Sequence, residues 1–247
     1  MNNAVQMLDQ TLDLVLLGVL YGALVILPAF FLILAVVNLF KRKRLNILLK
    51  RCDPQRYLDT VKPSLDKRTA KGKYGARTAA LLNNAAFSHL CLGRFIEAEA
   101  AYRLAAQYDT KQTYKALIYN NLADMYLSKG ELDDARRMLF LLEQCLAVCP
   151  VNLRAGLAEC LRKNRVHLDW RSGLIRFTPD IRAIFESGKT NNLNKARLAL
   201  LFSEMYAREG DGENARKEGE YVLNHVPLIP YMREKAQAIL GALEQVQ

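Results

Sequence analysis

Three segments of the chain superpose when each is aligned on a glycine, and that coincidence restricts the fold more than any other feature. The first reads Leu82-x-x-Ala85-Ala86-x-x-His89-x-x-x-Gly93-x-Phe95-x-x-Ala98-x-x-x-Tyr102-x-x-Ala105. The second reads Tyr119-x-x-Leu122-Ala123-x-x-Tyr126-x-x-x-Gly130-x-Leu132-x-x-Ala135-x-x-x-Leu139. The third reads Phe202-Ser203-x-x-Tyr206-x-x-x-Gly210-x-x-x-x-Ala215, with Pro227 twelve residues beyond that alanine. Apolar side chains three and four apart form one stripe of a helix. Gly93, Gly130 and Gly210 each end such a stripe, where a left-handed cap residue is needed. The small residues Ala86, Ala123 and Ser203 on one side of the turn, and Ala98, Ala135 and Ala215 on the other, let two helices cross closely. A hairpin of this kind buries only part of its apolar surface, so hairpins must stack. The expected fold class is therefore all-α, a helical-hairpin solenoid over residues 78–247.

These residue types and intervals resemble the tetratricopeptide repeat. The resemblance covers residues 78–149 and 196–228 and is closest in the first two units. The third unit departs from the pattern, with Gly212 where an aromatic or aliphatic residue is usual. Gly93 and Gly130 lie 37 residues apart, against roughly 34 for the family. The resemblance implies inner helices that line a concave groove, with an asparagine at the place of Asn84 and Asn121 bonding the backbone of an extended peptide. It makes Asn83, Asn84, Asn120, Asn121 and Asp124 the groove candidates, and amides suit the role because they donate and accept at once. Carboxylate-clamping members carry lysine where Asn83 and Asn120 stand, so clamp specificity is not implied. The competing role for these amides is to cap or bridge neighbouring helices within the stack. The whole chain is also similar to a group of small bacterial proteins with one N-terminal span, a Cys-Asp-Pro-like start and a tetratricopeptide-like cytoplasmic domain. The closing run from Ala215-Arg216-Lys217 through Tyr221-Val222-Leu223, Pro227, Ala236 and Leu240 is part of that likeness.

Ahead of the repeats, residues 14–40 form an uncharged apolar run of 27 residues that stops at Lys41-Arg42-Lys43-Arg44. As a helix it would reach about 40 Å, against a hydrocarbon core of about 30 Å. A single transmembrane helix is expected, kinked near Pro28. Residues 1–13 hold no Lys or Arg and carry Asp9 and Asp13, which is unlike the basic start of a cleaved signal peptide. The positive-inside bias then leaves the short N-terminus outside and everything after residue 41 in the cytoplasm, at the cell membrane. Gly18 and Gly22 have the spacing that lets two membrane helices approach, so a homo-oligomer is a candidate assembly.

Residues 41–77 contain thirteen Lys or Arg against Asp53, Asp59 and Asp66, a local charge of +10 equal to that of the whole chain. Residues 78–247 carry 22 cations and 20 anions, so the distal domain is nearly balanced. A nucleic-acid reader would place its cations on the folded face, and nucleic acid is not an expected partner. Anionic lipid headgroups are, through Lys41, Arg42, Lys43, Arg44, Lys50 and Arg51. Asp53 before Pro54 signals the start of a short helix to about residue 65, with Lys71-Gly72-Lys73-Tyr74-Gly75 as a linker.

Residues 150–192 fit the repeat pattern least. A helix is expected over 151–165 and another from Pro179 to about Glu186. Between them, residues 166–170 and 174–177 read as a small β-hairpin or irregular insert around Arg171-Ser172-Gly173, the elaborated loop of a distorted repeat. Trp170 is expected in the core.

No nucleophile–base pair, phosphate loop, paired carboxylates or metal set is found, so neither an enzyme nor a cofactor is expected. Ser187-Gly188-Lys189-Thr190 lacks the first glycine of a phosphate loop, with Arg182 in its place. The five cysteines, Cys52, Cys91, Cys145, Cys149 and Cys160, show no CxxC spacing and read as reduced thiols. His89, His167 and His225 read as structural side chains. The function expected is a membrane-anchored interaction protein for a protein or peptide partner. The alternative is a self-associating accessory subunit of a membrane complex.

Overall fold

The computed structural model describes residues 47, 48, 50–108, 112–187 and 191–245. The expected span at 14–40, with Gly18 and Gly22, and the cations Lys41, Arg42, Lys43 and Arg44 lie outside the described residues. Within them, no helix is long and apolar enough to cross a membrane.

The described residues form ten helices: α1 (Pro54–Ala70), α2 (Ala76–Cys91), α3 (Phe95–Gln107), α4 (Gln112–Lys129), α5 (Leu132–Ala147), α6 (Val151–Arg171), α7 (Pro179–Glu186), α8 (Asn192–Arg208), α9 (Gly212–His225) and α10 (Pro230–Glu244). They pair as four hairpins, α2/α3, α4/α5, α6/α7 and α8/α9, preceded by α1 and followed by α10. The fold is all-α, as the periodicity requires.

One turn recurs. Gly93, Gly130 and Gly210 have φ of 74°, 81° and 82°. In each case the next residue donates its amide five residues back, Arg94 to His89, Glu131 to Tyr126 and Asp211 to Tyr206, all at 2.9 Å. This is the left-handed glycine cap that satisfies the carbonyls at a helix end. The same turn closes α6 at Gly173, with φ 74° and a 2.9 Å bond from Leu174 N–H to Asp169 C=O. It also closes α1 at Gly72, with φ 61° and a 2.9 Å bond from Lys73 N–H to Arg68 C=O.

Gly173 corrects the expectation of a β-hairpin or irregular insert at 166–177. Helix α6 continues unbroken to Arg171, and Leu157, Leu161, Asn164 and Leu168 are buried along it at steps of four, three and four residues. That is helical spacing, so the strand-like run Val166 to Trp170 merely supplies both faces of a helix. Residues 151–186 form a further helix pair closed by a glycine turn. Its second helix is short for a visible reason. Thr178 stands five residues after the glycine, where the other units have Ala98, Ala135 and Ala215, and it caps α7 through its Oγ1 instead of packing inside a helix. Helix α1 also exceeds its expected end near residue 65, reaching Ala70 before the Gly72 turn.

The small residues sit at the crossings. Ala86, Ala98, Ala123, Ala135, Ser203 and Ala215 are fully buried. Ser203 Oγ donates to the Ala215 carbonyl at 2.7 Å, which fixes the α8/α9 crossing. The array also closes on itself. Leu48, Cys52, Tyr57 and Val61 at the start pack with Leu193, Ala196, Val222, Val226, Ile229 and Met232 near the end. The Phe95 and Tyr231 rings meet edge-on with centroids 5.1 Å apart, joining the first hairpin to α10. Trp170 is buried with Phe185, Phe202 and Met205.

Candidate binding site on the inner helices

Helices α2, α4, α6 and α8 open the four hairpins, and their facing sides carry the polar residues that link one repeat to the next. Nine residues before the cap glycine stand Asn84, Asn121, Asn164 and Leu201; ten before stand Asn83, Asn120, Lys163 and Leu200. The bonding follows that register. Asn121 Nδ2 donates to Asn83 Oδ1 at 3.0 Å, and Asn164 Nδ2 donates to Asn120 Oδ1 at 3.0 Å. A longer contact of 3.4 Å from Asn120 Nδ2 to Asn121 Oδ1 joins the two pairs. The result is an amide ladder running from α2 through α4 to α6. Asn83 and Asn164 are buried, so leaving either unpaired would cost free energy.

Of the groove candidates, the structure therefore brings Asn83, Asn120 and Asn121 together and bonds them within the stack. Asn84 is half-buried and makes no side-chain hydrogen bond among the described residues. It stands at the ladder's open end, since α1 offers no asparagine before it. Asn164 escaped the sequence reading. The signal that would have found it is its spacing from Gly173, which matches that of Asn121 from Gly130. Lys163, at the neighbouring register, donates to the Phe185 and Ser187 carbonyls at 3.0 and 2.7 Å and so holds the end of α7.

Beyond the ladder the inner helices are joined by charge. Asp124 of α4 pairs with Arg197 of α8, 73 residues on, and their side chains are 22% and 29% exposed. The guanidinium of Arg197 also lies 5.2 Å from the centre of the Phe87 ring on α2. Arg171 of α6 grips Glu204 of α8 with two hydrogen bonds of 2.5 and 2.7 Å, and Lys235 of α10 approaches the same carboxylate at 3.1 Å. Two-pronged contact of this kind fixes orientation as well as charge. The inner helices α4 and α6 are thus each tied to α8, and α8 to the last helix, α10.

Burial holds His167, Cys91 and Tyr102 in their uncharged forms. His167 is buried, and its pKa is pushed well below the usual histidine range, first by burial and then by Arg171, Lys235 and Arg197. Arg171 Nε donates to His167 Nε2 at 3.3 Å, which requires that nitrogen to be unprotonated. Burial pushes the Cys91 thiol up to about 12, so it lacks the thiolate that a nucleophile needs. The Tyr102 hydroxyl is buried with no hydrogen-bond partner among the described residues, and burial raises its pKa well above the ordinary value. His89 Nδ1 is likewise buried with no hydrogen-bond partner among the described residues. His225 Nδ1 lies 2.9 Å from the Tyr221 carbonyl. The Asn84 amide on α2 is left without a side-chain hydrogen bond among the described residues.

Of the expected headgroup contacts, Lys50 and Arg51 are described and are exposed. The Lys50 carbonyl accepts a 3.2 Å hydrogen bond from Asn192 Nδ2, which sets the start of α8 beside the segment that leads into α1.

A scan against protein-family models matches none, and searches of curated proteins and of solved structures return no match.

Proposed function

We propose that this chain is a membrane-anchored adaptor of the tetratricopeptide-like kind, with residues 14–40 as its anchor and the helical repeats as its cytoplasmic receptor. The basic run Lys41 to Arg44, with Lys50 and Arg51, rests against anionic headgroups of the inner leaflet. Confinement to the membrane raises the local concentration of the receptor toward partners at that surface. The observation that carries the reading is the register of the inner helices. Three of the four glycine-closed hairpins carry amides at a repeating position, and Asn84 retains its hydrogen-bonding capacity for an extended protein or peptide segment.

The test uses the full chain in native membranes. Asn84→Ala is expected to reduce partner capture while leaving helicity and melting temperature unchanged. Unchanged capture would remove Asn84 from the reading.

Self-association is a second reading, supported by apolar side chains left in solvent. Phe140 is 57% exposed, Val148 64% and Val151 80%, on α5, the turn after it and the first residue of α6. Such a surface could join identical chains, as Gly18 and Gly22 could within the membrane. Sedimentation of the detergent-solubilised chain separates the two readings, because a strict monomer excludes this one.

A further inference from the structure

A pocket of about 390 Å³ opens between α7, α8 and α9, away from the amide ladder. Its volume falls at the small end of the roughly 300–1,000 Å³ typical of small-molecule sites. Leu198 and Tyr221 supply half-buried apolar and aromatic walls over the buried Phe202, and Arg182, Lys195 and Lys217 supply the cations.

These cations are not equivalent. Arg182 is fully engaged. It donates to Glu186 at 2.9 Å and to the Tyr206 hydroxyl at 3.1 Å, pairs with Glu218 at 2.8 Å, and lies 4.7 Å from the centre of the Phe202 ring. It is a wall of the pocket, fixed in place by its partners. Lys195 and Lys217 are exposed, and their side chains make no ion pair or hydrogen bond among the described residues. One arginine and two lysines against two glutamates leave the lining with a charge of +1, and both lysines are uncommitted. An apolar body would fit against Phe202, Leu198 and Tyr221, while an anionic head would be met by the two ammonium groups.

We propose that this pocket binds a monoanionic amphiphile, with its acyl or aryl body on the Leu198–Phe202–Tyr221 wall and its acidic head between Lys195 and Lys217. Charge and shape select the ligand together. A cationic amphiphile would share the apolar contact but meet two repelling ammonium groups. A small anion would share the charge but leave the apolar wall wet.

Calorimetric titration of the full chain in nanodiscs of zwitterionic phosphatidylcholine tests this, with naphthoate as the probe. Naphthoate is expected to bind saturably, and the Lys195→Glu/Lys217→Glu variant to weaken it by about tenfold or more, equivalent to about 1.4 kcal/mol. Lys195→Gln/Lys217→Gln, which adds no repulsion, is expected to weaken it less but in the same direction. Both variants remove exposed side chains without partners, and unchanged melting curves are expected. Naphthylmethylammonium binding as tightly as naphthoate, acetate displacing naphthoate at equal concentration, or unchanged affinity in both variants would each overturn the proposal. Adding an anionic phospholipid to the nanodisc assigns the natural source. Competition with naphthoate supports a lipid as the ligand, and undiminished naphthoate binding supports a soluble acid.

Discussion

Asn164 donates its side-chain amide to Asn120 across the α4/α6 seam at 3.0 Å, one repeat on from the bond that Asn121 makes to Asn83. The two bonds use the same register, nine residues before one cap glycine to ten before the previous one. Replacing the donor leaves a buried or half-buried carbonyl oxygen unpaired, which costs about 1–3 kcal/mol. Asn121→Ala and Asn164→Ala are each expected to lower stability by that amount in chemical denaturation. Asn84→Ala, with no side-chain partner to orphan, is expected to stay within about 0.5 kcal/mol of the parent.

Gly173 and Gly130 share a left-handed backbone at φ 74° and 81°. A Cβ on Gly130 would meet no atom within 4 Å, and one on Gly173 would come no closer than 3.6 Å, to Arg208 Nη2. The penalty for Gly→Ala at both sites is therefore conformational rather than steric, about 1–2 kcal/mol. Similar losses in melting temperature for the two variants are expected if Gly173 closes a repeat as Gly130 does. A neutral Gly173→Ala would separate the two turns.

Asp124 and Arg197 join α4 to α8 across two hairpins. Removing one partner strands the other in a partly buried setting, and Asp124→Ala is expected to cost about 2 kcal/mol. A double-mutant cycle with Arg197→Ala is expected to return a coupling of about 1 kcal/mol or more. Additive losses would show that the two residues contribute independently.

His167 gives the domain a pH dependence with a definite sign. Its pKa is lowered on folding by burial and by Arg171, Lys235 and Arg197 around it, while Glu204 lies across from Arg171 and is already paired. The unfolded chain therefore binds the imidazole proton more readily than the folded one. Stability from this group is complete above the unfolded value of about 6.5 and declines as pH falls below it, by at most about 1.4 kcal/mol per pH unit. Urea melts between pH 7 and 5 are expected to show that decline, and His167→Gln is expected to flatten it.

The helical class and three of the hairpin turns were legible because glycine and alanine at fixed intervals have few other uses. The fourth hairpin was not. Val166 stands where Ala86, Ala123 and Ser203 mark the other crossings, and Thr178 replaces the later alanine, so the unit lost both of its small-residue signals while keeping Gly173. Residues 166–170 then looked strand-like, and only the buried series Leu157, Leu161, Asn164 and Leu168 shows the helical step. The asparagines were visible as a repeated pair, but their roles depend on which helix follows which. Asn121 faces a neighbour that can accept its hydrogen bond, whereas Asn84 follows α1, which offers no such amide. The tie from Asp124 to Arg197 spans 73 residues and had no local signal at all.

Site-specific photocrosslinking from residue 84 of the full chain in native membranes tests the adaptor reading most directly, with a crosslinker at the exposed position 140 as the comparison. The expected result is a discrete adduct to another polypeptide from position 84, absent from position 140 and sensitive to competition by excess unlabelled chain. Adducts only from position 140, composed of two copies of this chain, would contradict the account and establish self-association in its place.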